Sequence, residues 1–258
     1  MSRPGPKTRI VSAILIVPAL AAAAAFTTRL QNSTIRVWDR YILQFEKVNP
    51  VDRPLLDGND QPALIDLNPD GSGEHEEVPG GYIHHWIGVM RLPGVSVSRI
   101  EAVIEEYPHW KEIYAPDVKL AVGKPVAVEG GHGYDFRMVT EQIDGLLHFA
   151  FDAHFSVRFR HLGDFTLVDS KSYLIREGDS GHAPYTDLLP EGHDHGILWR
   201  LNTYWRLRQL DNAAYVECQV ISLSRKPLLG TRDHIKGRAR ESLDATLRHT
   251  RDWALNPR

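Results

Sequence analysis

Residues 199–207 alternate strictly: Trp199, Leu201, Thr203, Trp205 and Leu207 against Arg200, Asn202, Tyr204 and Arg206. Period two is the mark of a strand with one apolar and one wet face. Asp211 and Asn212 then punctuate the chain, and residues 215–223 are rich in β-branched and apolar side chains, so the two runs form an antiparallel hairpin. The same alternation recurs upstream. Phe149, Phe151, Ala153, Phe155 and Val157 oppose His148, Asp152, His154, Ser156 and Arg158, giving one heavily aromatic face that points inward. Tyr134, Phe136 and Met138 repeat the pattern one strand earlier, and a weaker version covers 165–175. Asp144-Gly145 and Gly163-Asp164 supply the turns between these strands. Gly80-Gly81 opens a further apolar strand over 82–92, closed by Pro93-Gly94.

Helical spacing appears in three places. Ile35, Trp38, Tyr41, Ile42 and Phe45 share one face, with Ser33 or Thr34 as cap. Ser98 and Glu101 form an S-x-x-E capping box ahead of the stripe Ile100, Val103, Ile104 and Tyr107, which Pro108 stops. The last helix runs from Thr231 or Asp233 to about Trp253, its stripe made by Ile235, Ala239, Leu243, Leu247 and Thr250. Between the first helix and Gly80 lies a Pro-, Asp- and Gly-rich connector with one short strand over 63–67. Five or six antiparallel strands followed by a closing helix make an α+β fold.

At the N-terminus, Arg3, Lys7 and Arg9 precede an uncharged apolar run over 10–26 that ends in alanines. This is the layout of a secretory leader cleaved after Ala24 or Ala25. Left uncleaved, the same run would tether the protein to the membrane, so residues 1–25 are read as signal peptide or anchor. Residues 26–79 are then an N-terminal helix and connector, and 80–258 the main domain. The expected location is outside the cytoplasm, in the periplasm or on a membrane facing it.

Composition changes the picture little. The 258 residues are 42% hydrophobic and 24% charged, with a formal charge of -3, which predicts a buried core and argues against a nucleic-acid partner. Oligomeric state is not legible. The single Cys218 lies mid-strand and reads as a small buried residue. Gly178-Asp179-Ser180-Gly181 repeats the letters around a trypsin-like nucleophile, but no histidine and aspartate precede it in the arrangement that chemistry needs, and the segment reads as a turn. His84, His85, His182, His193, Asp194 and His195 invite a metal reading. His84 and His85 face opposite sides of a strand, however, and no metal or other cofactor is assigned. Asp135, Arg137, Arg200, Arg206 and Glu217 stand among apolar residues, where cross-strand pairing on the outer face is the preferred placement.

The segment SRIEAVIEEYPHWKEIYAPDVKLA and the terminal GRARESLDATLRHTRDWA resemble the START-like (SRPBCC) superfamily, which also holds the Bet v 1 allergens and polyketide cyclases. VPGGYIHHWIGVM, HGILWRLNTYWR and YVECQVISLSR resemble an exported bacterial subgroup. The resemblance implies a helix-grip fold: a curved antiparallel sheet wrapped around the long C-terminal helix, with a cavity between them for a hydrophobic small molecule. The wall residues would be Phe136, Met138, Phe149, Phe151, Phe155, Trp199, Leu201, Trp205, Leu243 and Leu247. No catalytic residue follows from it. Three roles stay open: a carrier of an apolar, lipid-like molecule; a cyclase- or hydrolase-like enzyme using a histidine or an acid such as Glu217 as base; or a structural envelope protein, whose sign would be a sealed core.

Overall fold

The computed structural model describes residues 30–48, 50–56, 58–67, 76–144, 147–178, 187–190, 193–226 and 232–256. The elements in chain order are α1 (Asn32–Glu46), β1 (Ala63–Asp66), β2 (Glu76–Val78), β3 (Gly81–Pro93), α2 (Val97–Glu105), a 3-10 turn (Tyr107–His109), α3 (Trp110–Ile113), β4 (Val118–Val128), β5 (Gly131–Asp144), β6 (Leu147–Leu162), β7 (Phe165–Glu177), β8 (Arg200–Leu210), β9 (Ala213–Arg225) and α4 (Arg232–Leu255). The expected α+β layout is present. All strands join one nine-stranded antiparallel sheet in the order β1-β3-β9-β8-β7-β6-β5-β4, with β2 also pairing with β3. From β4 to β9 each strand pairs with its sequence neighbour, and β9 then carries the sheet back to β3. The turns include Gly163, at φ 58°, and Asp211, at φ 50°, both in the left-handed region that tight hairpins require.

The inner face of the sheet carries α2, α3 and α4. Met90, Leu92, Ile100, Val103, Phe159, Leu207, Val216 and Ala254 are packed there with almost no exposure. Gly88 brings α4 close to the sheet: a Cβ there would stand 2.3 Å from Leu247 Cδ1. The C-terminal end of α4 is held by α2, where Arg99 Nη2 donates to Trp253 O at 2.8 Å and Trp253 Nε1 donates to Glu106 Oε2 at 3.2 Å. A cation meeting the last carbonyls of a helix satisfies groups that have no partner within it.

The outer face is not the wet surface that its polar residues suggest. Helix α1 lies across it, with Trp38 and Ile42 packed against Ile83, Trp199, Tyr204, Ile221 and Leu223. Beside that patch, residues 53 and 54 cover Arg206 and Glu217, which are 3% and 2% exposed. Glu217 accepts from Arg206 Nη1 at 3.3 Å and pairs with Arg53; the Arg206 guanidinium lies 4.8 Å from the Phe165 ring. The outer placement preferred for the strand charges holds for this pair, and Arg137 and Asp152 likewise form a two-pronged pair at 2.9 and 2.7 Å. Burial of the first pair is what the pattern did not foretell.

Two caps differ from expectation. Gly94 turns the chain out of β3 at φ 73°, so α2 starts early, with Ser96 rather than Ser98 as N-cap; Ser96 Oγ accepts from Arg99 N at 3.2 Å. Helix α1 is preceded by Gln31 without a side-chain cap, because the Thr34 hydroxyl donates to Pro79 O instead.

Candidate functional site

The inner core is packed in one part and hollow in another. A cavity of about 300 Å3 lies between the sheet, the α2–α3 segment and α4. Its aromatic wall is built by the 3-10 turn and α3. Tyr107 and Trp110 project onto the face of β5, where Phe136 meets them at ring-centroid distances of 4.6 and 4.8 Å. Offset and edge-to-face aromatic packing of this kind makes a stiff wall that does not collapse into the space beside it.

Of the wall residues expected from the sequence, Phe136, Met138, Phe151, Phe155, Leu201, Trp205 and Leu243 line this cavity. Leu247 does not. It is fully buried in the packed part of the core, against Gly88. Trp199 belongs to the other side of the sheet, in the cluster beneath α1. Strand β8 begins only at Arg200, and the chain kinks before it at Gly196, φ 69°. Trp199 N donates to Leu223 O at 2.8 Å, and the indole Nε1 donates to Asp194 Oδ1 at 2.9 Å. The alternation therefore does not extend back through position 199. The Phe149 side chain lies outside the described residues, as does the run Asp179-Ser180-Gly181 with His182.

Pattern reading missed the polar lining. Inner-face register places His84 opposite Ser222, Ser222 opposite Leu201, and Thr203 opposite both Val220 and Ser170. All of these residues line the cavity, as does Ser224, whose Oγ lies 2.8 Å from His84 Nε2. The signal was available: carrying the inward register of Trp205 across the turn at Asp211 and Asn212 sends Cys218, Val220, Ser222 and Ser224 inward. A second polar group, Asp117, Thr140, Ser242, Thr246 and His249, sits where α4 faces the start of β4 and the end of β5, and Ser242 there is exposed. Cys218 also lines the space; it is fully buried, and desolvation pushes its thiol well above the usual range, which suits an inert thiol.

The part of the wall formed by Ile197 and Leu198 is held in place by one carboxylate. Glu177, 4% exposed at the end of β7, accepts from His195 N at 2.7 Å, Ile197 N at 2.7 Å and His195 Nδ1 at 3.2 Å. The bond to Glu177 raises the His195 pKa above its ordinary 6.5, against the opposing effect of burial. The other acid considered as a base, Glu217, lies on the outer face in its arginine pairs and does not reach the cavity. His84 and His85 are on opposite faces: His85 Nε2 pairs with Gln219 Oε1 at 2.9 Å and its Nδ1 with Tyr41 Oη at 2.8 Å, beneath α1. Among the described residues, no three His, Cys, Asp or Glu side chains gather as a metal site, and no helix is long and apolar enough to cross a membrane.

No protein-family model and no curated protein matches the chain by sequence. Solved structures do match it. A STAR-related lipid transfer protein (fragment 25–204) from Xanthomonas axonopodis superposes with a TM-score of 0.51 at 14% identity, over 79% of this chain and 98% of that one. Human STARD10 superposes with a TM-score of 0.52 at 9% identity, over 91% of this chain and 84% of that one. At such identities the likeness is one of fold, and it is the START-like helix-grip fold: a curved antiparallel sheet against a long C-terminal helix, with an added helix at the N-terminus.

Proposed function

We propose that the protein binds a hydrophobic small molecule in the cavity between the sheet and α4, as a carrier or receptor of that molecule. The observation that carries this reading is the hollow itself. About 300 Å3 is left open beside Tyr107, Trp110, Phe136, Phe155 and Trp205 while the rest of the inner core is packed. Unfilled apolar volume costs about 24 cal/mol per Å3, so a dry void of this size would cost on the order of 7 kcal/mol. Occupancy by an apolar ligand offsets that cost. The volume is at the small end of the range that binding sites use, roughly 300–1,000 Å3, which favours a compact or single-chain molecule. The Xanthomonas protein of the same fold, named for lipid transfer, supports the same class of ligand. A sealed core, the sign of a purely structural role, is not what is found.

The test is native mass spectrometry of the purified protein with organic extraction. The expected result is a stoichiometric apolar compound, or uptake of a fluorescent lipid by the stripped protein. Recovery of nothing, together with no uptake, overturns the reading.

A second reading, a hydrolase-like activity in the same cavity, draws on one observation: the His84 imidazole and the Ser224 hydroxyl are within hydrogen-bond reach of each other inside an apolar space, an arrangement in which imidazole can take the hydroxyl proton. Hydrolysis of p-nitrophenyl octanoate that disappears in both H84Q and S224A would establish it; a rate equal to the uncatalysed one leaves the carrier reading alone.

We also infer that the protein works outside the cytoplasm, in the periplasm or on a membrane facing it. Arg3, Lys7 and Arg9 ahead of the apolar run over 10–26 support this. Alkaline phosphatase fused to the full chain should be active in cells if so, and inactive if the leader does not export.

A further inference from the structure

On the sheet side of the cavity, the side chains of Ser170, Thr203 and Ser222 line the wall, and none has a hydrogen-bond partner among the described residues. Ser222 is 6% exposed, and Ser170 and Thr203 are half-buried, so the hydroxyls face the cavity rather than the outer surface. The three are not scattered. Ser170 and Thr203 are directly opposite on β7 and β8, and Ser222 lies on β9 directly opposite His84 of β3. Ser224, two residues along the same face of β9, bonds His84 Nε2 at 2.8 Å. Polar groups from four strands therefore line the sheet side of the cavity as two cross-strand pairs, Ser170 with Thr203 and Ser222 with His84, the second displaced by two residues along β9 from the partner of Thr203, Val220. Hydroxyls that face a cavity without a protein partner leave donors and acceptors that a bound molecule can satisfy.

Resting on the reading of the cavity as an apolar-ligand site, we propose that these groups seat the polar end of the ligand, and that the ligand is uncharged: an apolar body bearing one hydroxyl or carbonyl group. The charge of the lining decides the class. No lysine or arginine lines the cavity among the described residues. The nearest strand arginines, Arg200 and Arg206, are on the outer face, with Arg206 committed to Glu217 and to the carbonyls of residues 53 and 54. A carboxylate or phosphate would be buried there without a fixed countercharge, which is costly. Hydroxyls that both donate and accept suit an alcohol or a ketone equally.

The experiment titrates the full-length, solvent-extracted protein with octane, 1-octanol, 2-octanone and octanoate at mildly alkaline pH, following the fluorescence of Trp110 and Trp205 in the cavity wall. The alcohol and the ketone should bind about tenfold or more tightly than octane and octanoate, the gain expected from one or two recovered hydrogen bonds. In the double variant S222A/T203V, 1-octanol should bind no more tightly than octane binds to the same variant; a cooperative urea-unfolding transition shows that the variant is folded. Equal binding of octane and 1-octanol in the natural protein, or an alcohol preference that survives the double substitution, overturns the seat and leaves the apolar site standing. Tightest binding by octanoate overturns the uncharged class. Binding of none of the four removes the cavity reading and the seat together.

Discussion

His84 and His85 are consecutive in β3 and bond on opposite sides of the sheet, His84 to Ser224 inside the cavity and His85 to Gln219 and Tyr41 beneath α1. Both are nearly fully buried, at 2% and 4% exposure. One strand thus serves a ligand chamber and a structural strap at once, and substitutions at adjacent positions should separate the two. H85A removes the bonds from the His85 ring to Gln219 Oε1 and Tyr41 Oη and should cost about 1–3 kcal/mol of stability, with probe binding unchanged. H84L should shift probe affinity with a smaller change in stability. Urea unfolding and fluorescence titration of both variants check the contrast.

Arg206 and Glu217 form the most deeply buried ion pair described. Removing one member leaves the other charged and out of water, so R206M or E217L alone should lose about 3–5 kcal/mol, while the double apolar replacement should lose much less. Because the pair lies under residues 53 and 54, neither change should alter ligand uptake. Loss of uptake in a still-folded E217L would contradict the placement of this carboxylate on the outer face.

The Glu177–His195 contact predicts a pH effect on one wall of the cavity. His195 has its folded-state pKa raised above 6.5 by Glu177, so the contact contributes fully below the unfolded-state pKa and is lost as pH rises through the raised folded-state value. Hydrogen exchange of the amides of His195 and Ile197, corrected for intrinsic rates, should accelerate across that window. In E177Q the loop should exchange faster throughout and the pH dependence should flatten.

At Gly88 the sheet lets the Leu247 side chain of α4 approach within the space a Cβ would take. An added methyl in G88A meets Leu247 Cδ1, with Leu64 and Leu243 also close, and the displacement of these side chains should cost about 1–3 kcal/mol. For a chain of this size that lowers the melting temperature by roughly 2–4 °C per kcal/mol. A melting temperature equal to the parent's would mean that the helix rides higher than described.

Filling the hollow should act in the opposite sense. Val220 lines the cavity from β9, and V220W puts an indole where the ligand would lie. Uptake of a fluorescent lipid should fall at least about tenfold without loss of the cooperative unfolding transition.

Local periodicity carried most of the architecture. The strands over 81–93, 147–162, 200–210 and 213–225, the helix stripe of α4 and the turn at Asp211 and Asn212 depend on which faces are apolar, and that is written residue by residue. Of the seven expected wall residues that line the cavity, six follow from the same alternation, since register propagates along a regular strand, and Leu243 follows from the stripe of α4. Periodicity failed at Trp199, where the strand had not yet begun, and at Leu247, because a helix stripe says which residues face the sheet but not which of them meet packing and which meet space.

What only the tertiary structure decided are relations between distant segments. Period-two polarity could not reveal that α1 and residues 53 and 54 would cover the outer face and bury Arg206 and Glu217, because an exposed polar face and a paired buried one look alike in one dimension. Nor could it set the hydroxyls of Ser170, Thr203 and Ser222 in one hollow: each is an ordinary strand residue until the pairing of β7, β8 and β9 puts Ser170 opposite Thr203 and Ser222 opposite the neighbouring wall residue Leu201. Side-chain direction is settled within a few residues, whereas filled and unfilled volume is settled by how far apart the sheet and α4 come to rest, and that distance is the sum of contacts made across the whole chain.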